Sequence, residues 1–323
     1  MTRPLVVLTD NTIHAVATDM LAPACELRML DAYAPEADMI EACAGARGIL
    51  ARLGNVTRAV IEHAPQLAII ARHGAGVDAV DLAAATERGV VVTTTGTENA
   101  AAVAEYTFAL LLALMRKVVR ADGDMRAGAW SRGPLVGFEL DGRTIGIVGL
   151  GAVGRRVARQ GHGFGMRMLA FDPHLASPAD VAVELTTLER LLAESDVVTL
   201  HVRLTPETRA LFDARAFAAM KPTAFFVNTS RGEVVDEAAL IDALSSNRIA
   251  GAALDTYEQE PLSAASALRQ LRNIVLSPHV AGQTTAALER VAACAAQSIL
   301  DEFAGRRPRF VYNPEAYAAR ARG

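Results

Sequence analysis

Four short stretches of this chain hold residue types that do chemistry at spacings that chemistry needs. The first is Gly149-Leu150-Gly151-Ala152-Val153-Gly154, directly after the apolar run Thr144–Val148. Its glycines have the G-x-G-x-x-G spacing of a dinucleotide turn. Gly149 permits a tight turn, Gly151 lets a diphosphate approach the backbone, and Gly154 lets the next helix pack close to the strand. The helix start offers unpaired N–H groups and a positive dipole end to phosphates. Asp172 ends the next strand candidate, Met168–Phe171, near the spacing of about 20 residues expected of a ribose-binding acid. A carboxylate there accepts from ribose hydroxyls and repels a 2′-phosphate, so the pattern favours NAD over NADP. A glycine-rich turn in another α/β fold is the competing reading, and it does not require strand, helix, second strand and acid in register.

The other three stretches follow later strand candidates, at the ends where ligands bind in such sheets. Asn228-Thr229-Ser230-Arg231-Gly232 puts an arginine straight after a buried strand, which suits bidentate binding of a carboxylate. Asp255 through Pro261 holds Glu258 and Glu260 in one loop. Ser277-Pro278-His279 sets a histidine after Ile274–Leu276, and such a histidine can pass a proton near neutrality. Taken singly, each is equally readable as a surface arginine, a solvated acid and a hydrogen-bonding loop histidine. On three successive strand ends of one nucleotide-binding sheet they make an anion clamp, a proton donor and a carboxylate that orients the donor. Hydride transfer to a 2-oxo acid needs those elements.

The elements that must position these residues can be read from the pattern of apolar runs. Strands are expected at Leu5–Leu8, Gly48–Ala51, Leu67–Ala71 and Val90–Thr93, with helices over Thr12–Leu21, Pro35–Ala44, Thr57–His63 and Leu82–Arg88. That alternation indicates a parallel sheet covered by helices. Residues 100 to 119 read as one long helix, too apolar to be exposed all round. A second series begins at Gly142, with strands Thr144–Val148, Met168–Phe171, Val197–His201, Ala224–Asn228, Gly251–Leu254 and Ile274–Leu276. A last helix over Thr284–Phe303 precedes a basic, proline-containing tail. The expected division is residues 1–99 plus 290–323 as a discontinuous substrate domain, with a nucleotide domain of 100–289 inserted. Repeats and low-complexity segments are absent.

With these stretches in view, the chain resembles the D-isomer-specific 2-hydroxyacid dehydrogenases, the group of phosphoglycerate dehydrogenases and hydroxypyruvate/glyoxylate reductases. The likeness runs from about Gly48 to Asn313. It rests on His73-Gly74-Ala75-Gly76-Val77-Asp78, the glycine turn, Asn228 through Gly232, Asp255 through Pro261, and Pro278-His279-Val280-Ala281-Gly282. The resemblance implies an α/β fold of two Rossmann-like, doubly wound parallel-sheet domains with a cleft between them. It implies NAD as cofactor, a small 2-oxo or 2-hydroxy acid as substrate, and a homodimer. Arg231, Glu260 and His279 would form the catalytic set, and Asp255 would contact the nicotinamide carboxamide. His201, Thr229 and Gly282 would line the cofactor with Ala152 and Val153 of the turn. The Gly74–Gly76 turn, with Ala75, would offer N–H groups to the substrate carboxylate.

Departures from the family pattern bear on the substrate. Arg203 stands where a proline is usual, and His73 where a small or apolar residue is. Arg52-Leu53-Gly54 occupies the loop that faces the substrate's distal end in this family, where phosphoglycerate-type enzymes tend to carry a hydroxyl residue in place of Leu53. Arg52, or Arg132 from across a dimer, would bind an anionic tail; either is also readable as a surface charge. No regulatory domain is expected after the last helix. A non-catalytic NAD-sensing protein on the same fold is the alternative from another class, and a phosphite- or formate-type hydride transfer is a third reading.

Composition narrows the classes further. At 323 residues, two domains are expected. A net charge of −4 gives no support for nucleic-acid or membrane-surface binding. Cys25, Cys43 and Cys294 are scattered, with neither a metal spacing nor a disulfide framework, which suits a reducing cytoplasm. Neither a signal peptide nor a bilayer-spanning run is expected.

Overall fold

The computed structural model describes residues 3–130, 132–178 and 180–321. The chain divides into two compact units, residues 1–99 with 284–323 and residues 100–283.

The first unit is built on five parallel strands: β1 (Leu5–Leu8), β2 (Glu26–Met29), β3 (Ala46–Ala51), β4 (Ile69–Arg72) and β5 (Val91–Thr93), in the order β2-β1-β3-β4-β5. Helices α1 (Ala15–Leu21), α2 (Glu36–Cys43), α3 (Arg58–Glu62) and α4 (Leu82–Glu87) connect them. Val6, Val7, Ile49, Leu50, Ile69 and Ile70 are fully buried, as expected of inner strands covered on both faces. β2 was not anticipated. It is an edge strand whose exposed Glu26, Arg28 and Met29 and partly covered Leu27 leave no apolar run to read.

The second unit holds seven parallel strands: β6 (Thr144–Val148), β7 (Arg167–Phe171), β8 (Glu184–Leu185), β9 (Val197–Leu200), β10 (Phe225–Asn228), β11 (Gly251–Leu254) and β12 (Ile274–Leu276). Their order, β12-β11-β10-β9-β6-β7-β8, reverses direction at β6, as in a doubly wound sheet. The unanticipated β8 is a two-residue edge strand, too short for any periodicity. The helices are α5 (Ala100–Met115), α6 (Val118–Arg126), α7 (Ala152–Gly163), α8 (Leu188–Glu194), α9 (Ala214–Ala219) and α10 (Glu237–Ser245). The single helix expected over 100–119 ends at Met115. Lys117 takes a left-handed backbone, φ 55°, and its ammonium donates to Pro134 O at 3.0 Å. α5 packs in the core; no residue of α6 is buried.

The chain then returns to the first unit through α11 (Thr285–Phe303) and α12 (Ala316–Arg320). Thr284 caps α11 by accepting from Ala287 N–H, and the helix packs on α1 and β4. The division therefore falls at 283/284, six residues before the expected 289/290. The tail is fastened by polar contacts that no spacing reveals. Val311 bridges Thr93, and the Asn313 side chain accepts from Val92 N–H while donating to Val90 O and Thr86 Oγ1. Arg320 pairs with the buried Glu302 and donates to Gly89 O and Ala68 O.

Among the described residues no helix is long and apolar enough to cross a membrane.

Candidate active site

The glycine turn joins β6 to α7. Gly149 has φ 91°, and a Cβ there would meet His201 O at 2.7 Å. A Cβ on Gly154 would run into Gly149 O, so the helix start lies against the turn only because both positions are glycine. Gly151, the N-cap of the 12-residue α7, is the opposite case: a Cβ would meet nothing within 4 Å. Ala152 and Val153 open the helix with no side-chain cap on its free N–H groups. Asp172 sits at the rim. Its Oδ2 accepts from Leu150 N–H and its Oδ1 from His174 N–H, both at 3.0 Å. An open helix start beside an anchored carboxylate is the donor and acceptor set that a dinucleotide's diphosphate and ribose require, so these residues fit NAD. Arg155, which sequence reasoning passed over, holds the turn by donating to Leu150 O at 3.0 Å while pairing with Asp180.

His201 follows β9, and its Nε2 meets Thr199 Oγ1 at 3.0 Å. Burial pushes its pKa down to about 3, so it stays neutral. Thr229, after β10, shares a 3.1 Å hydroxyl contact with Thr107 of α5. Thr107 gives its own proton to Val103 O at 2.8 Å. Arg231 stands two residues on, in extended backbone at φ −136°. Asn228 fixes this loop: its amide donates to Arg231 O and its Oδ1 accepts from Ser230 N–H and Oγ–H. The Arg231 guanidinium donates to Ser230 O at 2.7 Å. Gly232 lies directly on the backbone of Tyr257 and Glu258, where any Cβ would collide, so the Arg231 loop and the Asp255–Pro261 loop are packed together.

Glu260 and His279 meet there. His279 Nδ1 lies 2.7 Å from Glu260 Oε2, while Glu260 Oε1 accepts from Tyr257 N–H at 3.1 Å. Burial alone would raise the Glu260 pKa. The hydrogen bond and charge of His279, joined by the charge of Arg231, outweigh it and hold the carboxyl below its usual range. The three residues proposed from separate stretches thus act on one another in the second unit. His279 itself has φ 53°, a left-handed conformation uncommon for a non-glycine residue. Asp255 is fully buried, and its carboxylate accepts from Ser277 Oγ–H, Val280 N–H and Ala281 N–H. Burial raises its pKa against those hydrogen bonds. Gly282 ends this loop, partly buried. Glu258 and Arg203 are exposed.

The substrate candidates of the first unit form their own cluster at the strand ends. Arg52 is paired with fully buried Asp10 at 2.9 Å and also donates to Thr12 O at 3.1 Å. Thr9 Oγ1 donates to Leu53 O, which fixes the loop from beneath. Arg72 braces both neighbouring loops, donating to Ala51 O, Arg52 O and Gly76 O. Gly74 has φ 153°, Ala75 is exposed, and His73 N–H donates to Ala51 O at 2.8 Å. Asp10 and Arg72 were missed by sequence reasoning. Both stand at C-terminal strand ends, and that position is the signal that could have found them. Arg132 is exposed.

Burial, and next the nearby Arg52 charge, push the His73 pKa down to about 4 from 6.5. The unfolded chain therefore binds more protons than the folded one between those values. The stability contributed by neutral His73 is complete above about 6.5 and is lost as pH falls towards about 4. His201 works in the same direction. Urea unfolding of the parent is expected to weaken from about pH 7 to about pH 5, and His73→Gln to lessen that drop by about 2 kcal/mol. Equal pH slopes in parent and variant would refute the assignment.

Residues 108–281 match the family model described as D-isomer specific 2-hydroxyacid dehydrogenase, NAD binding domain. A D-3-phosphoglycerate dehydrogenase of Synechocystis sp. is 37% identical over 310 residues, 95% of this chain and 56% of that protein. A glyoxylate reductase of Korarchaeum cryptofilum is 42% identical over 270 residues, 82% of this chain and 81% of that protein. The chain thus spans little more than half the length of the phosphoglycerate dehydrogenase it matches. Among solved structures, a Thermus thermophilus protein superposes with a TM-score of 0.89 at 35% identity, covering 95% of this chain and 99% of its own. A glyoxylate reductase from Paecilomyes thermophila gives 0.88 at 26% identity, covering 98% and 99%. The match over more than half the chain and the likeness to full-length relatives place this protein in the D-isomer specific 2-hydroxyacid dehydrogenase family.

Proposed function

We propose that this protein is an NAD-dependent 2-hydroxyacid dehydrogenase that interconverts a small D-2-hydroxy acid and its 2-oxo acid. The observation that carries this reading is the 2.7 Å His279–Glu260 pair beside Arg231, on the same sheet edge as the glycine turn. Arg231 holds the substrate carboxylate and polarises the 2-oxo oxygen. Glu260 engages Nδ1 of His279, which leaves Nε2 to deliver a proton to that oxygen, or to take it in oxidation. NADH, held at the glycine turn, would supply the hydride for C2. The barrier falls through positioning and through charge set where the alkoxide develops. Arg52 is already neutralised by Asp10, which favours a small uncharged tail over a phosphorylated one. The three free cysteines suit a reducing cytoplasm.

NADH oxidation, followed by absorbance against glyoxylate, pyruvate, hydroxypyruvate, 3-phosphohydroxypyruvate and sulfopyruvate, tests the reading. Turnover of a small-tailed acid supports it. Tight NADH binding with no acid turned over would favour a sensor. NADPH serves as the parallel arm for Asp172. Asp172→Ser removes a charged acceptor, so NADH is expected to bind about tenfold or more weakly and NADPH more tightly. Fluorescence titration with both cofactors reads this out, and unchanged affinities would remove Asp172 from ribose binding.

The chain pairs with a second copy through the α6 region. Val119, Met125, Trp130 and Val136 are 60%, 54%, 80% and 72% exposed, large apolar side chains within one short stretch that a second copy would cover. Light scattering should return twice 34.1 kDa, and Trp130→Glu should shift the mass to that of a single chain. A parent already at the single-chain mass would overturn the pairing.

A further inference from the structure

The loop that presents His279 has an unfavourable shape of its own accord. His279 sits at φ 53°, and the residues on either side must expose N–H groups inward where no strand continues. Those groups turn to Asp255, with His279 N–H shared with Ser277 O at 3.1 Å. Asp255 O accepts His279 N–H at 2.9 Å, Asp255 Oδ1 accepts Val280 N–H at 2.9 Å and Ser277 Oγ–H at 2.6 Å, and Oδ2 accepts Ala281 N–H at 2.8 Å. Asp255 N–H is in turn tied to Asn228 O at 2.9 Å, so the residue cannot shift with the loop. Its side chain is fully buried. Two residues further on, Tyr257 holds the partner of the histidine. Its N–H donates to Glu260 Oε1 and its hydroxyl to Ser277 O at 2.9 Å.

We infer that Asp255 is a positioning residue for His279: its carboxylate and carbonyl form the template on which the 277–281 loop is laid, in addition to any contact with the nicotinamide. The inference rests on the proposed role of His279. Both carboxylate oxygens face donors only. An asparagine would therefore set its NH2 against an N–H group on one side or the other, whichever way the amide turned. The loop would lose its register while the volume of the side chain stayed the same. A displacement of about 1 Å at a reacting group costs about a hundredfold in rate.

The test is a double-mutant cycle with Asp255→Asn and His279→Ala, kcat being taken at saturating NADH and 2-oxo acid. Asp255→Asn is expected to lower kcat about a hundredfold in the parent and less than about threefold when His279 is already alanine. The same loss in both backgrounds, or no loss in the parent, would overturn the inference, because a purely structural or cofactor-binding role multiplies through. Hydrogen exchange of the 277–283 segment is read alongside and does not depend on activity. Exchange about tenfold or more faster in Asp255→Asn is expected, and unchanged exchange overturns the template. If His279→Ala alone kept parental turnover, the proposed role of His279 would fail, while exchange would still decide whether Asp255 shapes the loop. Ser277→Ala removes one donor and keeps the buried charge. It repeats both measurements should Asp255→Asn not fold, with smaller effects in the same pattern.

Discussion

His279→Ala is expected to lower turnover by about two to four orders of magnitude, the range for a positioned acid–base group. NADH affinity is expected to be preserved. The reason lies in the ring's two nitrogens. Nδ1 is held by Glu260 at 2.7 Å, and Glu260 is held by Tyr257 N–H, so the ring has one orientation and one free nitrogen. Alanine deletes the proton donor but touches neither the glycine turn nor the carboxylate clamp. His279→Gln discriminates further, since a glutamine can hydrogen-bond but does not transfer a proton at neutral pH. Pre-steady-state and steady-state assays on both variants, with NADH titrations, check the expectation. Near-parental kcat in His279→Ala would remove His279 from the mechanism.

Arg231→Ala is expected to lower kcat/KM by about two to three orders of magnitude, the size seen when one preorganised donor to a developing oxyanion is lost. Both parameters should move. The carboxylate loses its clamp, which raises KM, and the 2-oxo oxygen loses its polarising charge, which lowers kcat. Arg231→Lys keeps the charge but not the planar fork, and should recover only part of the loss. The fold should be little affected, because the Asn228 side chain and Gly232 against Tyr257 hold the loop's register besides the guanidinium's bond to Ser230 O. Circular dichroism and melting curves separate the effects. A variant with unchanged kcat/KM would leave Arg231 as a surface residue of the loop.

The proposed cofactor and reaction rest on features that are legible in one dimension. The glycine turn is readable because each glycine answers a local steric demand within six residues. Inner strands such as Ile69–Arg72 and Phe225–Asn228 are readable because parallel strands covered on both faces carry near-continuous apolar runs. The positions of Arg231, Glu260 and His279 after such strands place them at one sheet edge by topology alone. The edge strands β2 and β8 escaped because a partly solvated or two-residue strand has no pattern to show. The end of α5 at Met115 escaped as well, since Lys117 is a good helix former by type yet takes a left-handed backbone there.

By itself, then, the amino-acid sequence determined the class of sheet, the dinucleotide turn and the residue types available at each strand end, all of which follow from local sterics and apolar periodicity. Only the tertiary structure decided what each charge is committed to. Arg52 faces Asp10, 42 positions earlier, and is neutralised by it. Asp255 faces Ala281, 26 positions later, and shapes the loop of His279. Such commitments depend on which side chains the folded sheet brings within 3 Å, and no spacing along the chain encodes that distance.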